Sequence, residues 1–179
     1  MKLNTYRLTG WLTLQTMAAL LIAPTMKAQD KPQVPAAQTA AATAASFDDL
    51  ADTALLAMKK RAEELKIKGV ALVAYAPGDT VNSWTSKMVV VGQMTTPASG
   101  TNQGSNLLGI AYTKASEMAD TLKDSGSKVR PPKTGEYGFQ GGKVARGKTG
   151  ILIASFSGGP SEDDVKVSQA GLDILASKL

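Results

Sequence analysis

From Phe47 onward the spacing of apolar residues changes several times along the chain, and each change marks an element. Phe47, Leu50/Ala51, Ala54/Leu55, Met58, Ala62 and Leu65 recur at helical spacing, which predicts an amphipathic helix over Phe47–Lys68. Ser46 stands at its N-cap position, Asp48 and Asp49 fall in the first turn where the helix dipole favours acids, and Gly69 ends it. Val70-Ala71-Leu72-Val73-Ala74-Tyr75 is a short, continuous apolar strand, and Pro77-Gly78-Asp79 is a turn. A second strand follows within Ser83–Val91. Thr95–Ser105 is a polar loop rich in turn residues.

A second amphipathic helix is predicted from Asn106 to Lys123, with Leu108, Ala111, Ala115, Met118/Ala119 and Leu122 on one face. Ile151–Phe156 has the apolar density of a buried strand, Gly158-Gly159-Pro160 is a turn, and Ser161-Glu162-Asp163-Asp164 reads as a capping box. The last helix carries Val165, Leu172, Leu175 and Leu179 on one stripe. Val167, Ala170 and Ile174 form a second, which points either to a subunit contact or to packing on two sides. The order is α-β-β-α-(β)β-α. Neighbouring strands joined by a short turn pair antiparallel, so the expected class is α+β with helices packed on the sheet.

The N-terminal segment follows a different pattern. Lys2 and Arg7 precede an apolar run from Trp11 to Ala23, Pro24 breaks it, and Ala28 offers a small residue for cleavage. The run is roughly 13 residues and contains Thr and Gln, short of the ~20 a spanning helix needs. Residues 1–28 are therefore expected to be a cleaved signal peptide. The protein is then exported, periplasmic or secreted, with no stable membrane span. Residues 29–46, with Pro32, Pro35 and an Ala/Thr/Gln run, read as a flexible linker, and residues 47–179 form the domain.

The whole chain has 20 Lys and Arg against 15 Asp and Glu, a net charge of +5. The leader holds Lys2, Arg7 and Lys27 and no acid, so the rest carries only +2, which does not support a nucleic-acid partner. Seven basic residues lie between Lys123 and Lys148, opposed only by Asp124 and Glu136. The chain has no Cys and no His. That excludes disulfides, thiolate catalysis, Ser-His-Asp chemistry and His-ligated metal or haem.

Gly142-Lys143-Val144-Ala145-Arg146-Gly147-Lys148-Thr149 matches the phosphate-loop pattern G-x-x-x-x-G-K-[ST] letter for letter. A phosphate loop must follow a buried strand and open a helix, whose amides hold the phosphates. Here a Gly-broken segment precedes the match and the strand Ile151–Phe156 follows it, so we read a hairpin turn and no nucleotide site.

Several motifs occur in a characteristic order: Ala111-Tyr112-Thr113-Lys114-Ala115 on a helix, Phe139-Gln140-Gly141-Gly142, and Ser157-Gly158-Gly159-Pro160 before the acidic helix start. Over Asp48–Leu179 the chain resembles the GlcG/HbpS-like family, also called the haem-degrading domain family. The resemblance implies a profilin-like fold (an antiparallel sheet flanked by helices), assembly into homo-oligomers, and a ligand that is haem, a related tetrapyrrole or a small organic acid. Two positions depart from it: Tyr75-Ala76-Pro77-Gly78 replaces Val-Val-Asp-x-Gly-Gly, and Lys143-Val144-Ala145 replaces Val-Pro-Ile. Haem ligation through His is not inherited.

The candidate ligand-binding residues are Lys114, Tyr112, Gly141, Gly142, Gly158 and Gly159. Lys114 is either a solvated helix residue or a partner for a ligand carboxylate. Tyr112 either flanks the core at i+4 from Leu108 or ligates haem iron as a phenolate. Met58, Met88, Met94 and Met118 are alternative axial ligands, with Met58 and Met118 on core stripes. Gly158 and Gly159 serve the strand-to-helix turn and could offer amides to a small anion, although the acids that follow would repel it. Glu162, Asp163 and Asp164 are weak metal candidates against simple capping. The leading expectation is an exported binding protein for haem, a tetrapyrrole or a small acid. The alternatives are a haem-degrading or small-acid-converting enzyme and a non-catalytic envelope interaction protein.

Overall fold

A continuous apolar strand such as Val70–Tyr75 is buried on both sides only where a sheet carries helices on each face. The computed structural model describes residues 36–179, with side chains from Phe47 onward, and shows that arrangement. The expected signal peptide and the first part of the expected linker lie outside the described residues. The elements are α1 (Ala36–Glu64), β1 (Gly69–Pro77), β2 (Thr85–Val91), β3 (Thr95–Thr96), β4 (Ser105–Asn106), α2 (Leu107–Thr121), β5 (Gly142–Arg146), β6 (Gly150–Ser157) and α3 (Ser161–Ala176). The main sheet has the order β2-β1-β6-β5, antiparallel throughout. The fold is α+β and profilin-like.

Period-two alternation divides the two central strands between two cores. Ala71, Val73 and Tyr75 of β1 and Leu152, Ala154 and Phe156 of β6 face α1 and α3. Val70, Leu72, Ala74 and Ala76 with Ile151 and Ile153 face α2. Register follows from this split: Leu72 pairs with Met88 on one side and Ser155 on the other. Ser155 points into the α2 layer, and its hydroxyl donates to the Ala111 carbonyl at 2.8 Å, so the buried polar group is satisfied.

Four local expectations change. The first helix begins at Ala36, taking in the Ala-rich run, so Ser46 is interior to it and is not a cap; Ala has the highest helix propensity. The helix ends at Glu64, with Lys66 left-handed at φ 58°, and Gly69 starts β1 instead of terminating the helix. The polar loop contains the small β3–β4 ladder, and the Asn106 side chain caps α2 by accepting from the Gly109 N–H at 3.0 Å. α3 is not opened by a Ser161 capping box. Its N-cap is Pro160, with no side-chain cap bond.

Gly142–Arg146, part of the phosphate-loop match, is the edge strand β5, and only Gly147–Thr149 make the turn into β6. A strand therefore follows the match where a phosphate loop requires a helix. Of the second stripe of α3, Val167 is in the α1-side core and Ile174 packs against it, while Ala170 is half-buried. Among the described residues no helix is long and apolar enough to cross a membrane.

Phe156→Ala should cost about 3–5 kcal/mol in urea unfolding, because Phe156 is fully buried between β6 and the α1/α3 layer. Leu56→Ala, at a position 67% exposed, should change stability by no more than about 0.5 kcal/mol.

Candidate functional site

Lys114 occupies the buried face of α2, among Ala111, Ala115 and Met118, and is only 3% exposed. Its Nζ donates to Asp164 Oδ2 at 2.8 Å and to the Phe156 carbonyl at 2.7 Å. Asp164 belongs to α3 and is equally buried; its Oδ1 accepts from the Gly159 N–H at 2.9 Å. The ion pair thus passes the end of β6 and joins helices from opposite faces of the sheet. Burial pulls Lys114 below its usual pKa, and the Asp164 charge opposes that shift. Burial pushes Asp164 up, opposed by Lys114 and then by the Gly159 N–H.

Gly141 makes this approach possible. It has φ +127°, and a Cβ there would meet Lys114 Nζ and Asp164 Cβ. Its carbonyl accepts from the Phe156 N–H at 3.1 Å and the Ser168 hydroxyl at 2.6 Å, fastening the start of β5 to β6 and α3.

The pair forms the floor of a cleft of about 330 Å³. Leu107, Ile110 and Phe139 supply apolar wall; Thr96, Ser105, Gln140, Ser157 and Ser161 supply hydroxyl and amide groups. Gly158, Gly159 and Ser161 place the start of α3 at its edge, where the helix dipole favours negative charge. The acids beside it oppose an anion less than their sequence suggests. Asp164 is paired with Lys114, Asp163 is paired with Lys166 at 2.8 Å, and Glu162 lies exposed.

Of the residues singled out from sequence, Lys114, Gly158, Gly159 and Asp164 line this cleft, and Gly141 lies directly behind it. Lys114 is neither solvated nor available as a free cation. Gly142 is elsewhere: it packs on Met118, and its N–H donates to the Ser125 hydroxyl at 2.8 Å. Tyr112 is half-buried against the α2-side core, beside Trp84, with its hydroxyl 3.2 Å from that of Ser86. It does not line the cleft. Glu162, Asp163 and Asp164 diverge, and no cluster of three acids able to hold a metal occurs among the described residues. Met58 and Met118 are fully buried, and none of the four candidate methionines lines the cleft.

Sequence reasoning missed Thr96, Ser105 and Gln140, which reach the cleft only through the tertiary fold. It also missed the ion pair, whose members are fifty positions apart. One signal was available: Lys114 falls on the same helical face as Ala111 and Met118, where an unpaired charge is not tolerated.

The basic stretch is largely neutralised. Arg130 pairs with Asp120 and Glu136, Lys133 with Asp120, Lys143 with Asp124, and Arg146 with Asp79. The Arg130 guanidinium, and after it the Lys133 N–H, hold the Glu136 carboxyl down to about 2.

Lys114→Met should cost about 3–5 kcal/mol, because it leaves Asp164 buried without its cation. The double variant Lys114→Met/Asp164→Leu should recover at least half of that loss in urea unfolding. Glu136 generates an acid dependence. Its folded pKa is depressed from 4.5 to about 2, so its contribution is complete above pH 4.5 and is lost as pH falls through about 2. The urea midpoint should fall over that window, and should fall less in Glu136→Gln.

No protein-family model matches the chain, and no curated protein matches it. Among solved structures it is similar to the crystal structure of the PduOC:haem complex, at 20% sequence identity and a TM-score of 0.50. The match covers 72% of this chain and 92% of that one. At this identity the likeness is one of fold.

Proposed function

We propose that this protein is a non-catalytic binding domain that takes a carboxylate-bearing small ligand in the Lys114–Asp164 cleft. The ligand is a small organic acid or the propionate edge of a tetrapyrrole. The observation that carries this reading is the cleft itself: hydroxyl and amide donors and the start of α3 stand beside an apolar wall, above a floor whose charges are already paired. The haem named for the PduOC structure supports the tetrapyrrole version.

The residues fit one part of haem and not another. Leu107, Ile110 and Phe139 suit a ring face, and the hydroxyl and amide groups suit propionates. The cleft has no His, Cys, Met or Tyr side chain for iron, and the Lys114 amine is held by Asp164 and Phe156. Recognition therefore rests on the organic ligand rather than its metal. The enzyme alternative gains no residue from the structure.

Export of the chain and its self-association belong to the same proposal and rest on the leader pattern and the family resemblance. N-terminal sequencing of protein recovered outside the cytoplasm should begin near Gln29, and the eluted mass should exceed that of one chain.

Titration of the purified protein with hemin and with metal-free protoporphyrin should give saturable spectral shifts of similar affinity, near one ligand per subunit. Phe139→Ala, at an exposed position, should weaken both several-fold. Absence of saturation for the two porphyrins and for a small acid such as glycolate would overturn the reading.

A further inference from the structure

The buried face of α2 carries a second charged residue. Glu117 lies three positions after Lys114, one turn further along the same face, and is 6% exposed. Its Oε1 accepts from the Gly126 N–H at 2.9 Å. Its Oε2 is screened from solvent and has no hydrogen-bond partner, the one such side-chain atom among the described residues. Buried carboxylate oxygens in folded proteins are satisfied, so this acceptor calls for a donor.

Glu117 forms part of the wall of a cleft of about 520 Å³, distinct from the first. Val129, Pro131, Pro132 and Tyr137 make the rest of it largely apolar, and Val129 and Tyr137 are each 58% exposed. The Tyr137 ring stacks on Phe139 with centroids 5.2 Å apart, which holds it in place. Arg130 and Lys128 also border the cleft. The Arg130 guanidinium is taken by Asp120 and Glu136, and Lys128 is an exposed residue that makes no ion pair with Glu117, so neither cation neutralises it.

An acceptor without a donor, a negative charge away from water and an aromatic ring at the rim together select a cation bearing N–H groups on an apolar body. The carboxylate takes the N–H, and the ring and prolines take the apolar part and the cation's field. A carboxylate-bearing ligand is disfavoured there by repulsion from Glu117. We propose that this cleft is a second binding site, for a small primary ammonium on an aromatic or branched apolar carrier, with the Glu117 carboxylate as its anchor.

Calorimetric titration of the full chain with benzylammonium, benzyl alcohol and benzoate at neutral pH and low salt tests this. Benzylammonium should bind saturably at one per chain, benzyl alcohol at least tenfold more weakly, and benzoate not at all. Glu117→Gln preserves the shape and an acceptor for Gly126, and should weaken benzylammonium at least tenfold. Tyr137→Ala, at a surface position, should weaken it several-fold; this variant decides the matter if Glu117→Gln does not fold. The proposal is overturned by equal binding of the three probes or by affinity unchanged in Tyr137→Ala. It is equally overturned if wild type gives no saturable heat, which would leave a structural water as the partner of Glu117.

Discussion

A single buried ion pair ties this molecule together. Lys114 and Asp164 come from helices on opposite faces of the sheet, each packed on its own apolar core, and meet past the end of β6. Taking both charges out of water is costly, so the arrangement persists only with hydrogen-bonding support beyond the pair itself. The Phe156 carbonyl and the Gly159 N–H provide it, and the missing side chain of Gly141 leaves the space. The turn after β6, the start of β5 and the first turn of α3 are all positioned by the same few atoms.

That constraint also shapes the chemistry available nearby. A lysine in a cleft ordinarily suggests an anion partner, but this lysine already has one from the chain. The cleft it floors therefore works with neutral donors and a helix start, on a surface whose adjoining acids are paired or turned outward. Three positions along α2 the opposite condition holds: Glu117 is buried with half its carboxylate unmatched. One helix face thus presents a completed charge to one cleft and an incomplete charge to another.

Much of the architecture was legible because it depends on local periodicity. The switch from helical spacing in Phe47–Leu65 to the continuous apolar run Val70–Tyr75 located α1 and β1, and Pro77-Gly78-Asp79 implied the antiparallel partner. β5 was obscured because it is a five-residue edge strand with one apolar side chain on each face, Val144 towards α2 and Ala145 towards α1 and α3, so that Gly142-Lys143-Val144-Ala145-Arg146 resembles a loop in composition. The capping box was misread for a related reason: Asp164 has the right residue type, but its carboxylate is turned towards Lys114 and Gly159.

Sequence alone determined the class, the two amphipathic layers and the exclusion of thiol and imidazole chemistry, since these follow from residue type and short-range spacing. Tertiary structure alone decided what the charged residues do. Lys114 and Tyr112 are two positions apart on one helix, yet one closes an ion pair with α3 and the other rests beside Trp84 on β2's side of the core. A charge acquires its role from the partner that meets it in the low-dielectric interior, and that partner can be any distance away along the chain.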